Sequence, residues 1–400
     1  MNSRLPTKVL IYHRSLDSSA SGGEYLPLLF ISELQRRKCE ITLALDWQSD
    51  IDSCAKSLGA EVNASAVNII CIKPKNRLLQ RLDLIIPFYR SKMLKRAAKQ
   101  CDICISTFNI FDFGRPAHHF ILSLGINDNS FKNYYMHRSR PTGLKLLYVK
   151  FRSLVAEHLL RPLLNVRSTR SILKNAKEHI YPNSLYVEKT MLEFFGSFNS
   201  TLFYPPTTFT PRSGCAKHSP LKVVYLGLLS PHKHLDDIIS IVENARLSSK
   251  KDIELHIGGK LLQTDYCNHL KSVCADKNWI QLVGPKYGLD KEEFLCSGSY
   301  AIHATREEAF GIAVTEYLKA GIVPIVPDEG GTCEIVDAKD LEYSDNAHAA
   351  AILSRLVTDE TFRKSMERHC MLRANLFSMQ LYMTRQRELL DKIIQESRKE

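Results

Sequence analysis

Apolar residues come along this chain in short uninterrupted runs, separated by longer stretches where they recur at helical spacing. KVLIYH at 8–13 is the first run. A polar, glycine-bearing loop follows, then apolar positions at helical spacing from about Glu24 to Arg37. EITLALD, VNIICIK, CDICIST and HFILSL repeat the short run, with helical stretches between several of them. Such continuous runs suit strands buried on both faces, and their alternation with helices predicts a covered parallel sheet. EHIYPNSLYVEKTMLEFFG then reads as strand, Asn/Ser cap and helix.

At 204–220 the pattern breaks. YPPTTFTPRSGCAKHSP has four prolines among small polar residues, and predicts a linker. Beyond it LKVVYLG, IELHIGG, WIQLVG, YAIHA and IVPIVP read as strands, and HLDDIISIVENA and DYCNHLKSVCADK as helices. Another helix is expected over roughly Ile312 to Lys319, and a long amphipathic one from about Met379 to Lys392. The organisation predicted is α/β with two Rossmann-like domains. Residues 1–204 form the first, 205–220 the linker and 221–376 the second, and a terminal helix within 377–400 crosses back to the first. The cleft between two such domains is the natural place for a ligand.

Composition excludes whole classes. With 44% hydrophobic and 24% charged residues the chain is globular, and 400 residues exceed what one core usually serves. No apolar run approaches the roughly 20 residues of a membrane span, and MNSRLPTKVLIYHRSLDSS reads as a first strand, not a secretory leader. A cytoplasmic protein is expected, peripheral at the inner face of the membrane. The eleven cysteines include one C-x-x-C, Cys101 and Cys104, but it lies in an apolar run with no second pair to complete a zinc site. Reduced thiols are the expectation, with a metal or redox pair as the lesser alternative.

Charge adds more. Residues 1–200 hold 29 of the 54 basic and 16 of the 43 acidic side chains, a balance of +13, whereas residues 201–400 come to −2. The excess concentrates in Lys73–Lys99, with nine basic residues and Asp83 the one acid, and again in Lys132–Lys177. That half is expected to meet something acidic: phospholipid, a diphosphate-linked acceptor or nucleic acid. LIIPFYRSKMLKRAAK (84–99) and LKLLYVKFRSLVAEHLLRPLL (144–164) mix apolar and basic residues, as an interfacial helix does, or as a core helix with solvated lysines does.

The chemistry is densest in ATREEAFGIAVTEYLKAGIVPIVPDEGGTCEIV, residues 304–336. A strand ends near Ala304, and Gly311 opens a helix whose first N–H groups and dipole favour an anion such as a diphosphate. Glu308 precedes that helix and Glu316 lies inside it; carboxylates accept hydrogen bonds from paired hydroxyls, so the two suit a sugar and a ribose. Acids near a helix start are also favoured by the dipole alone.

The longer string decides between these. Glu308-Ala-Phe-Gly-Ile, Glu316 eight residues on, Ala320-Gly321, Pro324, Gly330-Gly331 and Glu334-Ile-Val resemble the donor-site signature of glycosyltransferase family 4. Ser21-Gly22-Gly23-Glu24 is similar to its glycine-rich loop. Gly227-Leu-Leu-Ser-Pro231-His-Lys233 is similar to its Gly-Arg-x-x-Pro-x-Lys, and Tyr181-Pro-Asn183-Ser184 to the segment closing its first domain. The resemblance is strongest over about 180–350. Within the family, the Tyr-Pro-Pro and Glu-Tyr-Leu-Lys-Ala-Gly segments look most like mannosyltransferases that extend lipid-linked oligosaccharides, although those carry an amino-terminal membrane helix that this sequence does not show.

The resemblance implies the two-domain GT-B fold and retaining transfer of a hexose from a GDP- or UDP-linked donor to a glycan or lipid-linked acceptor in cell-surface glycan synthesis. It implies that Glu308 holds the sugar and Glu316 the ribose. The amides of Phe310, Gly311 and Ile312 receive the diphosphate, Gly22 and Gly23 face it, and Lys233 neutralises the leaving group. No Asp-x-Asp metal site is visible, so neither metal nor further cofactor is expected. Two positions depart from the family. Leu228 replaces an arginine, with Arg306 and His232 the candidates to supply its charge. No histidine follows the fourth strand, where Gly125 and Asn127 lie, and His118 and His119 precede that run as an expected surface pair. The alternatives are a sugar phosphorylase of the same fold and a catalytically weak partner subunit, which Leu228 keeps open. Nucleic-acid binding lacks any recognised module.

Overall fold

A computed structural model describes residues 5–16, 22–74, 85–126, 128, 131, 147, 151, 154–207, 209, 211, 219–261 and 264–399. The chain divides into two units: Met1–Tyr204 with Met383–Glu400, and Pro205–Tyr382. Most of the expected linker therefore lies outside the described residues.

The first unit is built on six strands: β1 (Lys8–His13), β2 (Glu40–Leu45), β3 (Val67–Cys71), β4 (Ile103–Ser106), β5 (His118–Ile121) and β6 (His179–Pro182). They run parallel in the order β3-β2-β1-β4-β5-β6. β1 is central and buries five of its six residues, which is why its sequence is one apolar run. Local signals set the helices around it. Asp50 accepts from the Ser53 amide at 3.0 Å to open Ile51–Leu58, Gly59 closes that helix at φ 67°, and Ser184 caps Leu185–Phe195 through Val187.

One open alternative is decided here and one expectation is corrected. Helix Ile86–Ala98, from the first basic segment, is a core helix: Leu94 and Ala98 pack with Leu10, Tyr12 and Cys104. Two of its cations serve the fold. Arg90 Nε lies 2.8 Å from buried Asp46, and Lys95 Nζ 2.9 Å from buried Asp112. Among the described cations of that segment, Lys92, Arg96 and Lys99 are the exposed ones. Nor are His118 and His119 a surface pair. They open β5, and His119, fully buried, lies 3.0 Å from buried Glu178.

The second unit repeats the plan with β7 (Lys222–Leu226), β8 (Glu254–Gly258), β9 (Ile280–Gly284), β10 (Tyr300–Ile302), β11 (Val323–Pro327) and β12 (Glu342–Tyr343). Their order, β12-β11-β10-β7-β8-β9, is again parallel, so β7 and β10 are adjacent although two strands separate them in sequence. That is where the connections reverse direction, and ligands of open α/β sheets bind beyond the carboxyl ends of such a strand pair.

Helix Met379–Ser397 ends the chain, and its residues from Met383 belong to the first unit, where Arg37 pairs with Asp391 at 2.8 Å and Arg387 with Glu33 at 3.2 Å. Among the described residues, no helix is long and apolar enough to cross a membrane. Among the described residues nine cysteines are free, Cys101 and Cys104 included, and burial raises both of these thiols.

Candidate active site

The sequence-predicted site residues of the second unit come from loops at the carboxyl ends of β7 and β10. Beyond β7 the chain makes a short 3-10 turn, Pro231–Lys233, and beyond β10 it runs through the acidic loop to helix Ile312–Lys319. Because the two strands are neighbours, Lys233 and Glu308 meet across 75 positions of sequence, Nζ to Oε2 at 2.6 Å. Thr305 Oγ1 also donates to the carbonyl of His232 at 3.3 Å, tying the two loops together.

The acidic loop is held in shape by glycine. Gly311 has φ 102°, and a Cβ there would lie 2.6 Å from Thr332 Cγ2, so both backbone and space require glycine. A Cβ on Gly331 would overlap the carbonyl of Ala309, while its amide donates to the carbonyl of Glu308 at 2.8 Å. The Gly330-Gly331 pair thus lets the backbone of 331–336 pack directly on the loop that carries Glu308.

A third clasp fixes the helix to the strand. Tyr317 is fully buried, and its hydroxyl accepts from the Leu226 amide at 3.0 Å, at the end of β7. Phe310 is buried against Phe377, so the backbone of Phe310, Gly311 and Ile312, not the phenyl ring, is what this turn can offer a ligand. Like any helix start, it presents amides without intrahelical acceptors and the positive end of the dipole.

Each glutamate has its own cation. Burial would raise the Glu308 carboxyl, but the His303 imidazole and Lys233 ammonium outweigh it and bring the pKa down to about 2. His303 is buried, with Nε2 3.5 Å from Glu308 Oε2. Glu316, only 6% exposed, pairs with Lys291 of helix Gly288–Cys296 at 2.6 Å. Sequence reasoning missed both His303 and Lys291. His303 directly follows the apolar run of β10, where a polar residue emerges at the site, and that position was its one signal. Lys291 had none.

Other expected site residues fall differently. Arg306, a candidate for the charge absent at Leu228, is engaged with Asp328 at 3.0 Å and with the carbonyl of Ser344. Leu228 is exposed, as is His232. Gly22 and Gly23 open helix Gly22–Arg36 of the first unit. Asn127, Ser21 and much of 144–164 lie outside the described residues. Among the described residues, no cluster of three His, Cys, Asp or Glu could hold a metal ion.

This geometry can be set beside known proteins. Residues 209–369 match the family described as Glycosyl transferases group 1. No curated protein matches the sequence. Among solved structures, HepE of Anabaena in complex with UDP and glucose is 14% identical, covering 96% of this chain and 100% of that chain at a TM-score of 0.64. WaaG, a glycosyltransferase involved in lipopolysaccharide biosynthesis, is 11% identical, with 95% and 99% coverage and a TM-score of 0.66. Sucrose-phosphate synthase of Thermosynechococcus elongatus is 13% identical, with 98% and 100% coverage and a TM-score of 0.69. The chain has the GT-B fold, and residues 209–369, within its second unit, match the family described as Glycosyl transferases group 1.

Proposed function

We propose that this protein is a retaining glycosyltransferase that moves a hexose, mannose by its sub-family resemblance, from a UDP- or GDP-linked donor to a glycan or lipid-linked acceptor in cell-surface glycan synthesis. One observation carries the reading: Lys233 and Glu308 meet beyond the β7–β10 reversal, at the start of the helix that holds Glu316. In the reaction the bond from the anomeric carbon to the diphosphate breaks, and one to the acceptor oxygen forms. The acceptor proton is released, and the nucleoside diphosphate departs.

Each residue then has a task. The helix start at Phe310, Gly311 and Ile312 receives the diphosphate, and Lys233 meets the charge that develops as it leaves. Glu308 accepts from the sugar hydroxyls and Glu316 from the ribose. The part given to Gly22 and Gly23, facing the diphosphate, rests on the resemblance of their loop. A thermal-shift screen of UDP, GDP, ADP and their sugars tests donor binding, since a ligand of the folded state stabilises it by mass action. No shift with any of them would overturn the reading. Leu228 favours a second one, a catalytically weak partner subunit, and measured transfer or hydrolysis of sugar nucleotides separates the two.

Charge stabilisation by Lys233 and the helix end has a consequence. Transfer is expected to persist in EDTA; complete loss, restored by Mn²⁺ or Mg²⁺, would mean that a cation does this work.

The acceptor side is proposed to dock on an anionic membrane. Leu147, Phe151, Leu154, Leu159 and Leu163 are exposed, in the second of the apolar and basic segments of a half whose net charge is +13. Sedimentation with anionic vesicles and not with neutral ones is expected, falling as salt screens the contact. At about 1 kcal/mol per surface cation, changing Lys92, Arg96 and Lys99 together to Gln should release most of the protein. Lys95 is left alone because it holds Asp112. Equal binding to both vesicle types would point to an acceptor in solution.

A further inference from the structure

Lys291 stands apart from every motif in the sequence, yet it is the cation placed on Glu316. It comes from helix Gly288–Cys296, between β9 and β10, whose Phe294 and Leu295 share an apolar cluster with Tyr317 and Ala320 at the far side of the Glu316 helix. This packing brings the first turn of one helix alongside the other. A buried carboxylate is costly unless it is paired, and the Glu316 side chain is only 8% exposed. Lys291 takes its Oε1 at 2.6 Å. Among the described residues no other side chain donates to it. A carboxylate offers about four acceptor directions, so Oε2 is left for a pair of vicinal hydroxyls.

We propose that Lys291 is the positioning residue of the nucleoside end of the donor site, holding the Glu316 carboxylate turned so that it reads the 2′- and 3′-hydroxyls of the ribose. This rests on the donor-site reading above and extends it: the two glutamates are served by two separate cations, Lys233 at the sugar end and Lys291 at the ribose end. The two therefore divide the site's selectivity. Loss of Lys291 affects which nucleotides bind and leaves the sugar-transfer step to Lys233 and Glu308.

The test compares UDP and GDP with their 2′,3′-dideoxy counterparts by calorimetry on wild type, Lys291→Met and Lys291→Arg. Wild type should prefer the ribonucleotide. A hydrogen bond to a charged group contributes about 1.5–3 kcal/mol, so that preference should exceed about tenfold. Lys291→Met should lose most of it by weakening the ribonucleotide alone, and Lys291→Arg should recover it. In transfer assays Lys291→Met should raise the donor KM more than it lowers kcat. If Lys291→Met does not fold, Lys291→Gln, which keeps a donor but not the charge, takes its place. Equal weakening of ribo- and dideoxynucleotides in Lys291→Met, or a Lys291→Met that discriminates like wild type, would overturn the proposal. Failure of wild type to bind either diphosphate would instead overturn the donor-site reading itself.

Discussion

Glu308→Gln is expected to lower kcat by about 10²- to 10³-fold with little change in donor KM, the loss typical of one interaction made in the transition state. Its carboxylate sits with Lys233 at 2.6 Å, at the end of the site proposed for the sugar, where charge changes during transfer. Glu316→Gln is expected to do the reverse, raising donor KM with a smaller effect on kcat, because the contact proposed for it, to the ribose, is the same before and during reaction. Steady-state kinetics on both variants check this, and unchanged constants in both would sink the site assignment. The charge state of Glu308 adds a pH expectation. Its pKa, held near 2 and below its ordinary 4.5, means that Glu308 stays ionised across any practical assay range, so no acid limb in kcat should trace to it. The lowered value also means that its pairing stabilises the fold fully above about pH 4.5 and is lost as pH falls toward 2.

The second large effect is on stability. Arg167 bridges two carboxylates that are each 1% exposed, Asp112 through Nε and Glu178 through Nη1, both at 2.8 Å. Glu178 also takes His119, and Asp112 also takes Lys95. Burial would raise the Asp112 carboxyl, but hydrogen bonds from Lys95, Arg167 and the Gly114 amide leave it below its ordinary value. Arg167→Met removes a shared partner from both acids. Breaking a buried pair costs about 3–5 kcal/mol, which in a unit of this size lowers the unfolding temperature by roughly 10 °C. Differential scanning calorimetry with Lys99→Met as the exposed control measures it, and a loss no larger than the control's would refute the network's role. Because Asp112 is depressed, this stability is present above the ordinary carboxylate pKa and is lost as pH falls below it, so the gap between wild type and variant should narrow in acid.

These two networks differ in how far they could be read from sequence. The donor motif is compact: Glu308, Gly311 and Glu316 share one loop and helix, and the helix over Ile312–Lys319 is found at the bounds its periodicity suggests. Lys233 was visible because its own turn carries a recognisable Gly-x-x-x-Pro-x-Lys spacing. The Arg167 network left no trace. Lys95 and Arg90 lie among other cations and look like a solvated face, and their acids stand elsewhere, Asp46 being 44 positions from Arg90. The adjacent His118 and His119 likewise gave no sign that one of them is sealed against Glu178, 59 positions away. A charge run has the same appearance whether its partners are water or distant carboxylates.

By itself, then, the sequence determined what depends on neighbours within a few turns of chain. That covers the apolar runs that became strands, the Asp50 and Ser184 caps, the division into two α/β halves near Tyr204, and the glycine-framed acidic loop. Only the tertiary structure decided what depends on strand order. β7 and β10 became neighbours through the parallel sheet, and that adjacency alone brought Lys233 to Glu308. The packing of two helices set Lys291 against Glu316, and burial turned Lys95 and Arg90 from surface charges into structural ones. The physical reason is one of range. Propensity, capping and periodicity act through the backbone over a few residues, whereas pairing a buried charge depends on which distant segments the folded sheet brings within about 3 Å.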